Sequence, residues 1–213
     1  MELPFTHEAF LDVFGAYNAA WWPAAVALWV ASAWLTWVWM RQGRVAGRAV
    51  FSLLAIHWVW SGIVYHWLYF RPINPAAAIF AVGFVGQAAL FAWLVAASRG
   101  RVIGGVTLRA VLGGALVGFA LVYPFLGLAF GLRYPRLPLF AVPCPTALLT
   151  AGWLLAATGV PRVVNIVPLA WAAVGSSAAF ALGIQADLAL VAAGVLLAVD
   201  TVAPTVLGAR AAT

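Results

Sequence analysis

Seven apolar runs separated by short polar gaps dominate the pattern along this chain. They cover residues 20–40, 49–70, 76–97, 109–130, 144–159, 163–183 and 188–208. A transmembrane helix needs about 20 mainly apolar residues, and every run except the short fifth one reaches that length. The pattern predicts an all-α bundle of seven transmembrane helices. If the fifth run is a re-entrant segment instead, the chain crosses the membrane six times.

The residues before the first run have an amphipathic pattern. Thr6 is a suitable helix cap, and large apolar side chains alternate with Glu8 and Asp12. We expect residues 1–19 to form a short helix in the outer headgroup layer, ahead of a bundle over residues 20–208. Alternatively, this segment is a lid that brings His7, Glu8 or Asp12 to an outward-facing site.

Composition excludes a soluble domain. Apolar residues make up 66% of the chain and charged residues 8%, whereas about a quarter of a typical soluble domain is charged. We expect one integral membrane domain over residues 1–213, because the chain is too short for two. The net charge of +6 does not indicate nucleic-acid binding, since the basic residues are arginines at or beyond the ends of the runs, where they meet lipid phosphates.

The arginines also predict the orientation of the chain. With the N-terminus outside and the C-terminus inside, most arginines fall on the inner side, as the positive-inside rule requires. We therefore expect a multi-pass protein of the bacterial cytoplasmic membrane. The inner set is Arg41, Arg44, Arg48, Arg99, Arg101, Arg109, Arg162 and Arg210, and the outer set is Arg71, Arg133 and Arg136.

Similar outer connections follow the second, fourth and sixth runs. Asn74-Pro75-Ala76 and Cys144-Pro145-Thr146 each place a polar residue at a helix cap and proline at the first helical position. The third connection is Gln185-Ala186-Asp187-Leu188. This similarity indicates tandem hairpin repeats.

Polar side chains inside the runs are the first candidates for a functional path, because such groups are costly in a bilayer. His57, Gln87 and Asp200 lie at similar depths, about 12–15 Å from the inner ends of their runs, with Ser61 one helical turn from His57. One interpretation is a proton or cation relay in which Asp200 accepts a proton from His57. The other is a static hydrogen bond that fixes helix packing.

A second group of candidates lies at the outer level. Cys144 and His66, with His7 or an acidic residue from the amphipathic segment ahead of the first run, form a candidate site for a soft metal ion such as Cu(I), Hg(II) or Zn(II). Asn74 and Arg71 complete this outward-facing site as polar residues of the substrate path. Alternatively, Cys144 is a buried structural cysteine and His66 belongs to an interfacial aromatic belt.

Tryptophan is concentrated in the first two runs. Trp29, Trp34, Trp58 and Trp60 lie well inside these runs, and we interpret them as an interior wall beside His57 that could stack quinone or haem. The alternative is that they serve packing and lipid contact.

Several motifs resemble those of a known family. They are the opening from Glu2 to Pro23, the stretch from Tyr65 to Ala76 with His66 and Asn74, and Val142-Pro143-Cys144-Pro145-Thr146. Together they are similar to an uncharacterised bacterial integral-membrane family, domain of unknown function 6064. The resemblance implies a membrane fold and outer-face positions of interest, but no activity.

Three functions remain open from the sequence. The first is a transporter or binding protein for a small solute or soft metal ion. The second is a membrane redox or lipid-modifying enzyme that binds quinone or haem, so enzymatic activity is undecided. The third is an accessory subunit of a larger membrane complex. We expect the lipid bilayer and a small-molecule or ion ligand as partners, and self-association into a homo-oligomer is compatible with each function.

Overall fold

The structure is a bundle of seven helices with a small sheet at one end. The computed structural model describes residues 4–103 and 107–207. The helices are α1 (His7–Gln42), α2 (Gly47–Trp60, continued by a π-helix over Ser61–Phe70), α3 (Ala77–Ala96), α4 (Leu108–Ala129), α5 (Pro143–Ala156), α6 (Ile166–Leu182) and α7 (Ala189–Val202). Short 3-10 turns lie at Arg162–Asn165, Gln185–Leu188 and Pro204–Leu207, and the strands are β1 (Arg44–Val45), β2 (Arg101–Ile103) and β3 (Ala157–Thr158).

The predicted all-α membrane bundle is confirmed. Within the described residues, six helices are long and apolar enough to cross a membrane, and α5 is a shorter apolar helix. Most helix ends lie within three residues of the ends of the apolar runs. The exceptions are α1, which begins at His7, well before its run, and α7, which stops at Val202 before Pro204 while the apolar run continues.

The first helix differs from the prediction of a separate interfacial segment. Residues from His7 onward belong to the continuous 36-residue helix α1, which is about 54 Å long and exceeds a hydrocarbon core of about 30 Å. Thr6 caps it as expected, accepting a hydrogen bond from the Ala9 backbone N–H at 3.1 Å. No helix breaker separates residues 7–19 from the first run, and Pro23 lies inside α1 without ending it.

The short sheet shows which helix ends meet. β2 pairs antiparallel with β1 and with β3, so the strands that follow α1, α3 and α5 lie together. Arg44 and Arg101 are in this sheet, at the end where the inner arginines are expected. Arg210 falls outside the described residues. Because α4 leads away from the sheet and β3 returns to it, the chain passes along the bundle between them, as the seven-crossing prediction requires.

α5 lies in the centre of the bundle. All of its residues except Cys144 are buried, and it packs most extensively against α4. Gly113 of α4 faces Gly152 of α5 so closely that a Cβ atom on Gly152 would lie 2.6 Å from the Gly113 carbonyl oxygen. Close approach at small residues is typical of helix pairs in membranes, and here it brings α5 against its neighbour along most of its length.

The segment between α4 and α5 is attached to α1. The buried Asn18 amide donates to the carbonyl oxygens of Pro135 at 2.6 Å and Leu137 at 2.7 Å. On the exposed side, Arg136 forms ion pairs with Glu8 at 2.5 Å and Asp12 at 2.8 Å, and the hydrogen bond that it donates to Glu8 raises the pKa of the Arg136 guanidinium. These contacts attach the segment before α5 to the first third of α1.

Candidate functional site

A cavity of about 600 Å³ lies at the end of the bundle opposite the sheet. Its walls come from the first turns of α1, the π-helix, the start of α3, the start of α5 and one face of α6. Most of the lining is apolar, with a small group of polar side chains among it. The main apolar residues are Phe5, Phe10, Phe14, Phe70, Phe80 and Trp171, and the polar ones include His66, Asn74, Tyr123, Cys144 and Asp187.

His66 is the most unusual residue of this cavity. Its side chain is 0% exposed, and neither ring nitrogen has a hydrogen-bond partner. Aromatic rings surround the imidazole, with centroids between 4.7 Å (Phe84) and 6.1 Å (Phe70) away. A buried polar group without a partner is rare in native structures and needs an explanation.

The π-helix over Ser61–Phe70 positions His66. Its widened turn is visible in the hydrogen bond from the Arg71 backbone N–H to the His66 carbonyl oxygen at 2.9 Å, five residues back. Both Tyr65 and His66 are buried, so two adjacent side chains face the interior. π-Helical turns are frequent at functional sites. The apolar pattern of this run contains no signal for the π-helix, and it was not predicted.

Asp187 is a site residue that sequence reasoning missed. It was assigned to an outer connection, but the 3-10 turn Gln185–Leu188 folds inward and buries it. The Tyr123 hydroxyl donates a hydrogen bond to its carboxylate, and Cys144 lines the same cavity. The available signal was Tyr123, a hydroxyl near the outer end of the fourth run that needed a polar partner.

The expected metal site does not form. Among the residues that the structure describes, no group of three His, Cys, Asp or Glu side chains could hold a metal ion. Cys144 and His66 line the same cavity, but His7 lines a separate, smaller pocket beside Gly127. In addition, α5 begins at Pro143, which makes Cys144 the second helical residue and not the cap.

The two other outer candidates have different positions. Asn74 lines the cavity, and its side-chain oxygen accepts a hydrogen bond from the Ala76 backbone N–H at 3.1 Å. Arg71 is exposed and stacks over the Trp67 ring at 4.0 Å, and it is not part of the cavity wall.

Of the segment considered as a lid, only the apolar side chains reach the cavity. The aromatic side chains Phe5, Phe10 and Phe14 of this segment line the cavity. Glu8 and Asp12 lie on the other side of α1 and bind Arg136, and His7 is in its separate pocket. The segment therefore covers the cavity with its apolar face, and the three ionisable residues expected at the site do not reach it.

The deep polar residues do not form the expected relay. One ring nitrogen of His57 pairs with the Ser32 hydroxyl at 3.1 Å, and the other has no hydrogen-bond partner, so His57 makes no hydrogen bond to Asp200. Asp200 forms an ion pair with Arg109. Gln87 donates to the Val164 carbonyl oxygen at 2.9 Å. Equal depth did not make these side chains neighbours.

Ser61 is buried, as are His57, Gln87 and Asp200. Its hydroxyl is buried and has no partner. It does not line the outer cavity, and neither do His57, Gln87 or Asp200.

The four interior tryptophans do not form one wall. Trp58 donates to Thr150 at 2.8 Å, Trp60 to Tyr17 at 2.9 Å and Trp29 to the Leu121 carbonyl oxygen at 2.8 Å. Trp34 is 60% exposed on the bundle surface and stacks on Trp37. Because each indole has its own surroundings, the site expected to stack haem or quinone beside His57 is not assembled.

Comparison with known proteins gives one informative result. A family model described as a family of unknown function (DUF6064) matches residues 7–211. No curated protein and no solved structure matches the chain. The match covers the whole bundle, including every cavity residue from Phe10 to Asp187.

Proposed function

The chain belongs to the DUF6064 family, and we propose that it is a multi-pass protein of the bacterial cytoplasmic membrane whose outer cavity binds a small organic molecule. The sheet end with Arg44 and Arg101 then faces the cytoplasm, and the cavity faces outward. The observation that carries the proposal is His66, a fully buried imidazole with two unpartnered nitrogens on the wall of this cavity.

The dimensions and chemistry of the cavity support ligand binding. Small-molecule sites are typically about 300–1,000 Å³ in volume and mainly apolar, with a few well-placed polar groups. The cavity has about 600 Å³ and matches this description. An unsatisfied buried polar group costs about 1–3 kcal/mol. A ligand that hydrogen-bonds His66 removes this cost, which favours the bound state.

Of the two roles considered first, transport and ligand binding, the geometry supports ligand binding better. None of His57, Gln87 and Asp200 lines the cavity, and each has a protein partner. Transport would need a second conformation that opens this layer towards the sheet. The soft-metal version has no three-ligand group to support it within the described residues.

The single cysteine of the chain provides a direct test. Cys144 lines the cavity and is only partly buried, so a bound ligand should shield it from N-ethylmaleimide. We expect para-hexylphenol to slow this reaction for the full chain in lipid nanodiscs. The labelling rate should fall in proportion to occupancy, about tenfold when the free ligand is about ten times its Kd.

Two variants of α6 make the test specific. Ala178→Phe places a ring in the cavity and should abolish protection by para-hexylphenol, because residue 178 lines the wall. Ala173→Phe adds the same ring at an exposed position of the same helix and should leave protection unchanged. Labelling of the wild-type chain that does not respond to para-hexylphenol, or equal protection in both variants, would refute binding in this cavity.

A further inference from the structure

The cavity reaches the surface at a mouth formed by exposed wall residues of α6 and by Ala76, just before α3. Only a few residues of these two helices touch. Along α6 the lining runs from Trp171 to Leu182, which corresponds to about 17 Å along the helix axis. The exposed part of this wall runs from Val174 to Ala181, about 10 Å along the axis of a helix that is long and apolar enough to cross a membrane.

Among the residues that the structure describes, the exposed ones that line the cavity carry no charge. They are Pro4, Ala76 before α3, and Val174, Ser177 and Ala181 of α6. The Ser177 hydroxyl donates to the Val174 carbonyl oxygen at 2.7 Å within its own helix, so it presents little free polarity. These residues provide no charged group that would bind a hydrated ion, whereas their mainly apolar surface is compatible with contact to lipid chains.

The polar group on the inner wall determines which ligand head group fits the cavity. His66 has two free nitrogens, and in a neutral imidazole one donates and the other accepts a hydrogen bond. A hydroxyl group both donates and accepts, so it complements either nitrogen whichever of them carries the proton. The rings of Phe70, Phe80 and Trp171 around it suit an aromatic or alkyl body.

From these observations we infer that the cavity takes an uncharged, membrane-dissolved amphiphile with a hydroxyl head directly from the outer lipid leaflet, through the mouth at α6 and Ala76. This inference rests on the proposed function and adds the ligand class and its route. The ligand moves head first from lipid to His66, and its apolar body remains among the aromatic rings.

The route can be measured with Cys144 in lipid nanodiscs. Two maleimides are compared, one with a dodecyl chain that dissolves in the membrane and one with sulfonate groups that keep it in water. Two reference proteins lack Cys144 through Cys144→Ser. One carries Val195→Cys on the exposed surface of α7 and the other carries Arg133→Cys in the exposed loop after α4. These references report the reactivity of each reagent in lipid and in water.

We expect Cys144 to follow the lipid reference, with a dodecyl-to-sulfonate rate ratio at least about tenfold above that of the Arg133→Cys protein, since uncharged reagents partition into lipid. Ser177→Trp should narrow the mouth and slow the dodecyl reagent about fivefold or more at Cys144. Phe180→Trp is the control, because Phe180 is 71% exposed and not part of the cavity wall.

Two outcomes would overturn the lateral route. One is labelling of Cys144 by the sulfonated reagent at the rate of the water reference, and the other is no effect of Ser177→Trp on the dodecyl reagent. Either could occur while para-hexylphenol still protects Cys144, in which case the cavity binds ligand but fills from water. The hydroxyl head is tested by hexylbenzene, which should protect Cys144 at least about tenfold more weakly than para-hexylphenol. Equal protection would refute the role of His66.

Discussion

Arg109 and Asp200 form a buried ion pair at the end of the bundle that carries the sheet. Arg109 is the second residue of α4, and Asp200 lies two residues before the end of α7. The pair therefore joins two helices that are far apart in sequence. Arg109 was expected at the lipid phosphates and Asp200 beside His57. Because the two residues pair with each other, Arg109 does not belong to the arginines at the lipid phosphates, and Asp200 does not belong to the polar layer of His57 and Gln87.

Removing one member of this pair should strongly destabilise the bundle. Asp200→Leu leaves the Arg109 guanidinium buried without its carboxylate, and breaking a buried pair from one side typically costs about 3–5 kcal/mol. The double variant Arg109→Met, Asp200→Leu should recover most of this loss. Thermal unfolding of the three proteins in lipid nanodiscs checks the prediction. A double variant as unstable as the single one would contradict it.

The contact between Gly113 and Gly152 should tolerate no side chain. In Gly152→Ala the new Cβ atom would lie 2.6 Å from the Gly113 carbonyl oxygen, so α4 and α5 must separate, at a cost of about 1–3 kcal/mol. Gly118→Ala is the matched control on α4, because nothing lies within 4 Å of its Cβ position. The melting temperature should fall for Gly152→Ala only, and equal shifts would argue against the close contact.

Asn18 should hold the segment between α4 and α5 in place. Asn18→Ala removes both hydrogen bonds to the Pro135 and Leu137 carbonyl oxygens, and the buried Leu137 oxygen left unsatisfied costs about 1–3 kcal/mol. We expect faster proteolysis within residues 131–142 and a lower melting temperature. Arg136→Gln removes the exposed contacts of the same segment and should have a much smaller effect. The prediction fails if the two variants behave alike.

The hydroxyl of Tyr123 should stabilise the inward position of Asp187. Tyr123→Phe removes a hydrogen bond to a buried carboxylate, and bonds to charged groups contribute about 1.5–3 kcal/mol. The control is Tyr134→Phe, since Tyr134 is 56% exposed. The melting temperature should fall for Tyr123→Phe alone. An unchanged melting temperature would mean that Asp187 is held in place by other contacts.

Much of the fold could be predicted because the length of an apolar run shows whether a helix can span a membrane, and the position of a residue in the run gives its depth. A lipid bilayer leaves few structures open to an apolar run of about 20 residues, and six long runs gave six long helices. The extension of α1 was missed because residues 7–19 look amphipathic both as a surface helix and as the start of a longer one. The enclosure of α5 was missed because lipid and protein interiors favour the same apolar residues.

The site was harder to predict because sequence gives the depth of a residue but not the direction in which it faces. Counting placed His66 and Cys144 at one level, and both line the cavity. The same counting suggested His57 as a partner for Asp200, whereas the helix rotations bring Arg109 there. The π-helix widens the turn at His66, and the fold of the chain around Gln185–Leu188 turns Asp187 inward. These two features depend on tertiary packing.

The central position of α5 has a consequence for how the protein is made. Its 14 residues extend about 21 Å, which is too short to cross the hydrocarbon core alone. It packs against α2 and α4, which precede it, but also against α6 and α7, which follow it. The ribosome has not yet delivered these last two helices when α5 enters the membrane. Until then α5 can pack only against the helices that precede it, such as α4. Its complete set of packing partners exists only after α6 and α7 have been inserted.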